Sequence, residues 1–189
     1  MTEQLINKEL INACIKQDRR AQNMLYKETY ARLMNICRRY AKNSEEAREL
    51  FTIGFLKILN NLEKYQSQIP FESWISRVMI NAIIDEHRKH ANFKEHHEFV
   101  DSEELEFQHE ADINDYEKQM STEQALGMLN HLPEATRKVF ALFAIDEYTH
   151  KEIALLLGIS ENTSKWHVSD ARKRLMKELS GIFIKEKVA

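Results

Sequence analysis

Between Ser164 and Lys177 the chain carries Lys165, Arg172, Lys173, Arg174 and Lys177 against a single acidic residue, Asp170. Five cations on one run suit phosphate binding, because ammonium and guanidinium groups on long stems can displace counterions from a polyanion. A second set of chemically capable side chains is His87, His90, His96, His97 and Glu98, whose two-histidine spacings can ligate a metal. With eight histidines in the chain such clusters arise by chance, and no second constellation completes this one. A metal-binding helical protein is the lesser alternative, and no cofactor is expected. The sequence shows no glycine-rich phosphate loop, nucleophile elbow or triad, so an enzyme in its own right is not expected. Cys14 and Cys37 do not form a CxxC pair, which argues against a disulfide framework or a cysteine zinc site.

The elements that must position the cations are legible over 149–175. Thr149 can cap a helix, and Glu152 three residues on completes a capping box. Ile153, Ala154, Leu156 and Leu157 supply an apolar face, and Gly158 stands where the chain leaves the helix, since glycine tolerates the left-handed conformation. Ser160 can cap the next helix, which carries the basic run. The pattern predicts a helix-turn-helix, with an ordinary helical hairpin bearing a solvated basic face as the plain alternative.

The rest of the chain is equally helical in pattern. Four glycines and two prolines in 189 residues leave few breakers, so the expected fold class is all-α. Apolar residues recur at threes and fours over 4–17, 19–41, 44–62 and 71–90, with Asp18, Asn43 and Ser44 as caps; Leu25, Tyr26, Tyr30, Leu33, Met34, Cys37 and Tyr40 form the second stripe. Residues 1–92 carry 15 basic and 11 acidic side chains, 93–120 carry 2 and 10, and 121–189 carry 10 and 9. This segregation predicts two small helical domains, 1–92 and 121–189, joined by an acidic linker at 93–120. Neither a secretory leader nor an apolar run long enough to span a membrane is visible, so the chain is expected in the cytosol without membrane insertion.

The stretch 44–90, SEEARELFTIGFLKILNNLEKYQSQIPFESWISRVMINAIIDEHRKH, resembles region 2 of bacterial sigma factors, and 129–175, LNHLPEATRKVFALFAIDEYTHKEIALLLGISENTSKWHVSDARKRL, resembles region 4. The most specific pieces are the spacing of Phe71, Trp74, Arg77, Asn81, Asp85 and Arg88, and the Leu132-Pro133 start leading to Ala171-Arg172. Nothing between the blocks resembles region 3 and no long acidic stretch precedes them, so the likeness is to the minimal, extracytoplasmic-function type. The resemblance implies that the chain binds core RNA polymerase and promoter DNA, and that an anti-sigma factor covers its faces.

By that likeness Glu49, Thr52, Ile53 and Phe55 would lie on the helix that docks on polymerase. Thr52 and Ile53 stand where the family commonly has Gln-Glu, and Glu49 where it has Asp. Tyr65, Phe71 and Trp74 would stack unpaired bases of the −10 element, with Arg77, Asn81, Arg88 and Lys89 as donors beside them. Trp74 also lies at helical spacing from Phe71 and Val78, so a core role is its plain alternative; Asp85 and Arg77 can form an ion pair. In the last block Ser160, Asn162, Thr163 and Ser164 would approach base edges of the −35 element while Lys165, His167, Arg172 and Lys173 meet phosphates. Ser164 replaces a common Val and His167 a common Arg, and a neutral His167 weakens a phosphate contact. The acidic linker would thread the channel that nascent RNA later occupies, or serve as a plain spacer. The rival reading is a helix-turn-helix regulator that never joins polymerase, which leaves the 71–88 spacing without a purpose.

Overall fold

The computed structural model describes residues 6–94 and 122–188. These are helical, with no strand among them, and the chain divides into two compact units, Met1–Lys89 and His90–Ala189.

Capping side chains set where the helices of the first unit begin. Asn7 accepts the Leu10 N–H at 2.9 Å and opens α1, Lys8–Ile15. The chain reverses at Gln17, where a φ of 62° brings the Gln17 and Asp18 amides back onto the Cys14 and Ala13 carbonyls at 2.9 and 3.1 Å. Asp18 accepts the Arg20 and Ala21 amides at 2.8 and 3.0 Å and starts α2, Arg19–Tyr40. Those amides, Ala21 foremost, hold its carboxyl below the ordinary aspartate range. Asn43 caps α3, Ser44–Asn61, by accepting the Glu46 N–H at 2.9 Å. A 3₁₀ turn, Leu62–Lys64, and a connection through Pro70 lead to α4, Phe71–Lys94. This last helix runs past the expected end near His90, so residues 93 and 94 belong to it. The remainder of the expected acidic linker lies outside the described residues.

Leu25, Leu33 and Cys37 of α2, Ile58 of α3, and Ile75, Met79 and Ile83 of α4 are fully buried and form the core of this unit. Gly54 leaves room where α3 meets α4: a Cβ there would run into the Met79 thioether. Met79 has little freedom to yield, being 0% exposed with its sulfur 3.6 Å from Cys37 Sγ. Burial pushes the Cys37 thiol up to about 12, and both Cys14 and Cys37 are free and enclosed. Two members of the expected α2 stripe are corrected: Tyr26 and Tyr30 are each 39% exposed. Their rings lie over Phe51 and Phe55 with centroids 5.1–5.4 Å apart. They cap the core instead of filling it.

The second unit begins with α5, Thr122–Asn130, and, after Pro133, α6, Glu134–Phe140. A wide π turn, Ala141–Ile145, follows; then α7, His150–Leu157, and α8, Glu161–Val188. Helix α6 packs on α5 and α8 and is buried along Ala135 to Phe140, including Arg137 and Lys138. Enclosed cations persist only with partners. Lys138 Nζ lies 2.5 Å from Glu134 Oε1, and Arg137 Nη1 donates to Asn130 Oδ1 at 3.0 Å. Around this helix Leu142, Ile153, Val168 and Ala171 complete the core.

Candidate nucleic-acid interface

The turn between α7 and α8 forms as its residue types dictate. Thr149 accepts the Glu152 amide at 3.2 Å while the Glu152 carboxylate accepts the Thr149 amide at 2.8 Å, a complete capping box. Gly158 leaves α7 at φ 69°, its N–H bonded to the Ala154 carbonyl at 2.9 Å. Ser160 Oγ accepts the Thr163 amide at 3.0 Å and starts α8. The two helices are then tied together through side chains. His150 Nδ1 and Ser164 Oγ lie 2.9 Å apart, and the His150 ring stacks on Phe143 at 4.3 Å and 15°. Burial, with the charges of Lys165 and Arg172, pushes the His150 pKa below its ordinary value against the opposing pull of Glu161.

This architecture corrects part of the expected DNA contact set. Thr163, Ser164 and His167 are 2%, 0% and 4% exposed. Their polar atoms serve the fold: Thr163 Oγ1 meets Ser160 Oγ at 2.8 Å, Ser164 meets His150, and His167 Nδ1 meets Thr136 Oγ1 at 2.9 Å. Burial pushes His167 down to about 4, against the raising effect of Asp170, so the ring is neutral and enclosed, not a phosphate ligand. Ser160, Asn162, Lys165 and Lys173 are exposed and Arg172 is half-buried. What remains outward is thus a cap hydroxyl, one amide and three cations. Asp170 pairs with Arg174 at 2.8 Å, which removes a free anion from the same surface.

In the first unit, Tyr65, Phe71 and Trp74 converge in one cluster, with centroids of 5.1 Å between Tyr65 and Phe71, 5.4 Å between Tyr65 and Trp74 and 5.9 Å between Phe71 and Trp74. Tyr65 O–H donates to the Ile69 carbonyl at 2.9 Å and fixes the connection before α4. Phe71 is 8% exposed and belongs to the core, whereas Tyr65 and Trp74 are half-buried. Along α4, Arg77, Asn81, Asp85, Arg88 and Lys89 are all exposed, at steps that keep them on one side of the helix. Asn81 is therefore not a buried hydrogen-bonding group. Asp85 pairs with Lys57 at 2.8 Å, not with Arg77, and Lys89 with Glu86 at 3.1 Å. Beside the aromatic cluster a cleft of about 950 Å³ opens between α1 and the 62–71 connection, lined by Asn7, Asn12, Tyr65, Gln66, Gln68 and Phe71 among others. Four amide side chains share this lining with an aliphatic wall that includes Ile11, Ile15, Leu62 and Ile69, and in the sequence only Gln66 to Gln68 before Pro70 mark it, as a polar connection.

On α3, Glu49 and Thr52 are exposed and Ile53 is half-buried. Thr52 Oγ1 donates to the Arg48 carbonyl at 2.9 Å. Phe55 is corrected: it is 8% exposed, stacked on Phe51 at 5.7 Å and covered by Tyr26. The outward apolar groups here are instead Leu56, 55% exposed, with Tyr26 and Tyr30. Among the described residues no group of His, Cys, Asp and Glu could hold a metal ion, while His96, His97 and Glu98 lie outside them. No described helix is long and apolar enough to cross a membrane.

A helix-turn-helix with outward cations, in a chain that also carries an aromatic cluster at the head of a donor stripe, marks a helical protein of the DNA-binding class. Residues 25–93 match the family model for Sigma-70 region 2 and residues 122–175 that for Sigma-70, region 4. The chain belongs to the sigma-70 family of RNA polymerase sigma factors and is of the extracytoplasmic-function type. It is 25% identical over 174 residues to the ECF RNA polymerase sigma factor SigM of Mycobacterium tuberculosis, covering 92% of this chain and 84% of that one. It is 29% identical over 133 residues to the RNA polymerase sigma factor SigZ of Bacillus subtilis, covering 70% and 72%. The sigma factor RpoE of Bartonella quintana, solved with the anti-sigma factor NepR, shares the fold at a TM-score of 0.51 and 18% identity, covering 84% of this chain and 96% of that one.

Proposed function

We propose that this sigma factor divides promoter recognition between its two units. The second unit lays the outward side of α8 against the −35 element, with Asn162 at base edges and Lys165, Arg172 and Lys173 on phosphates. The first unit holds the opened −10 strand: Tyr65 and Trp74 stack exposed bases, Phe71 supports them from the core, and Arg77, Asn81, Arg88 and Lys89 bind the backbone and base edges. The cleft beside Tyr65 offers an extruded base amide donors and acceptors, which offsets the cost of unstacking it. Core polymerase docks on α2 and α3 around Glu49, Thr52, Ile53 and Leu56, and the reaction chemistry is the polymerase's own. An anti-sigma partner covers these faces until transcription is required, and the work is done in the cytoplasm, where the polymerase is.

The aromatic cluster at the head of the α4 stripe carries this reading, because a regulator of double-stranded DNA needs the helix-turn-helix alone. The test is capture of core polymerase by the full chain, followed by run-off transcription from genomic fragments. Promoter-specific transcripts are expected. If polymerase is not captured while the chain still retards specific duplex DNA, the regulator reading replaces this one.

A further inference from the structure

Enclosure of Thr163, Ser164 and His167 leaves the first turns of α8 with an outward stripe of Asn162, Lys165, Trp166, Ser169 and Lys173. Steps of three and four keep these residues on one side of the helix. Trp166 is the large apolar group in that stripe. It is half-buried, and its ring meets that of His167, with centroids 4.8 Å apart at 70°. His167 is in turn held by Thr136 at 2.9 Å, which ties the residue beside the indole to α6. Among the described residues no hydrogen bond takes its Nε1–H.

An indole on the same side of α8 as Lys165 and Lys173 is matched to a particular feature of duplex DNA. The major groove displays one apolar group, the C5 methyl of thymine, beside acceptors on the neighbouring bases. An indole offers a broad apolar face and a donor but no acceptor, so it favours a thymine-containing step over a cytosine amino group. We propose that Trp166 is a specificity-determining residue of this sigma factor and reads a thymine methyl in the −35 element. This rests on the assignment of α8 to that element.

The test uses holoenzyme reconstituted from the full chain and core polymerase, with promoters selected from a library randomised at −35. Each −35 thymine is then replaced by deoxyuridine, which removes only the methyl. One such replacement is expected to weaken promoter binding by roughly tenfold with the wild type, the scale of a lost base contact. Holoenzyme with Trp166→Ser is expected to be insensitive to it and to select −35 sequences without that thymine. Lys165→Ala serves as the contrast, weakening all promoters alike and keeping the methyl sensitivity. A wild type indifferent to every deoxyuridine, or a Trp166→Ser variant with unchanged preference, overturns the proposal while leaving the sigma reading intact. Failure of the wild-type holoenzyme to select any promoter overturns that reading, and this one with it.

Discussion

A histidine enclosed beside a hydroxyl resists protonation, and His167, at about 4, is in that position. Its unfolded counterpart titrates near the ordinary value of 6.5. The unfolded chain therefore binds more protons than the folded one between these values, so the stabilisation is complete above 6.5 and is lost as pH falls towards 4. The expected slope is at most ~1.4 kcal/mol per pH unit for this one group. Urea unfolding followed through Trp166, in a Trp74→Phe background that leaves it the sole indole, should show the midpoint falling below pH 6.5. His167→Gln should flatten that slope; an unchanged slope would mean that other groups carry it. The enclosure of His167 was not legible in the sequence. A basic run at helical spacing looks the same whether a member faces solvent or α6, and the partner, Thr136, is 31 residues away in the chain. The caps at Asp18, Asn43, Thr149 and Ser160 were legible because each closes onto an amide two or three residues on.

Pairs of helices add constraints that no single stripe reveals. Gly54→Ala gains helix propensity, about 1 kcal/mol, but forces a methyl into Met79, where overpacking costs about 1–3 kcal/mol. A net loss of about 1 kcal/mol is expected in the first unit, read as a lowered urea midpoint with unchanged α7 and α8 exchange protection. A midpoint at or above wild type would show that Met79 gives way freely. On the opposite side of α3 from Gly54, Leu56 is 55% exposed. Leu56→Glu should leave the melting temperature unchanged and reduce core polymerase affinity at least tenfold, about 1.4 kcal/mol, in a competition titration. Equal affinity would move the polymerase face elsewhere. The sequence pattern marked α3 correctly but put Tyr26 and Tyr30 in the apolar stripe of α2, and the family likeness put Phe55 on the docking face. Periodicity locates a stripe; which rings cap it and which are capped depends on the neighbouring helix.

Across the whole chain the formal charge is −3, so long-range attraction to DNA is weak and contacts must be local. The outward cations of α8 are few, since His167 is neutral and Arg174 is paired. The free protein is therefore expected to bind a −35 duplex feebly and with a shallow salt slope, while holoenzyme binds the same duplex specifically. Fluorescence anisotropy at several salt concentrations separates the cases, and tight specific binding by the free chain would refute the division of labour with polymerase. The π turn at Ala141–Ile145 has a consequence of another kind. Its Asp146 amide reaches five residues back, to Ala141 at 3.0 Å, so the turn holds one residue more than an α-helical ring. Deleting that residue would wind the turn tight and swing the following chain by about 100°, carrying Phe143 out of register with His150. The stretch from Pro133 to Thr149 is thus fixed in phase, as a key is cut to its wards. A single-residue loss there is expected to break the Phe143–His150 stack unless a second change restores the phase.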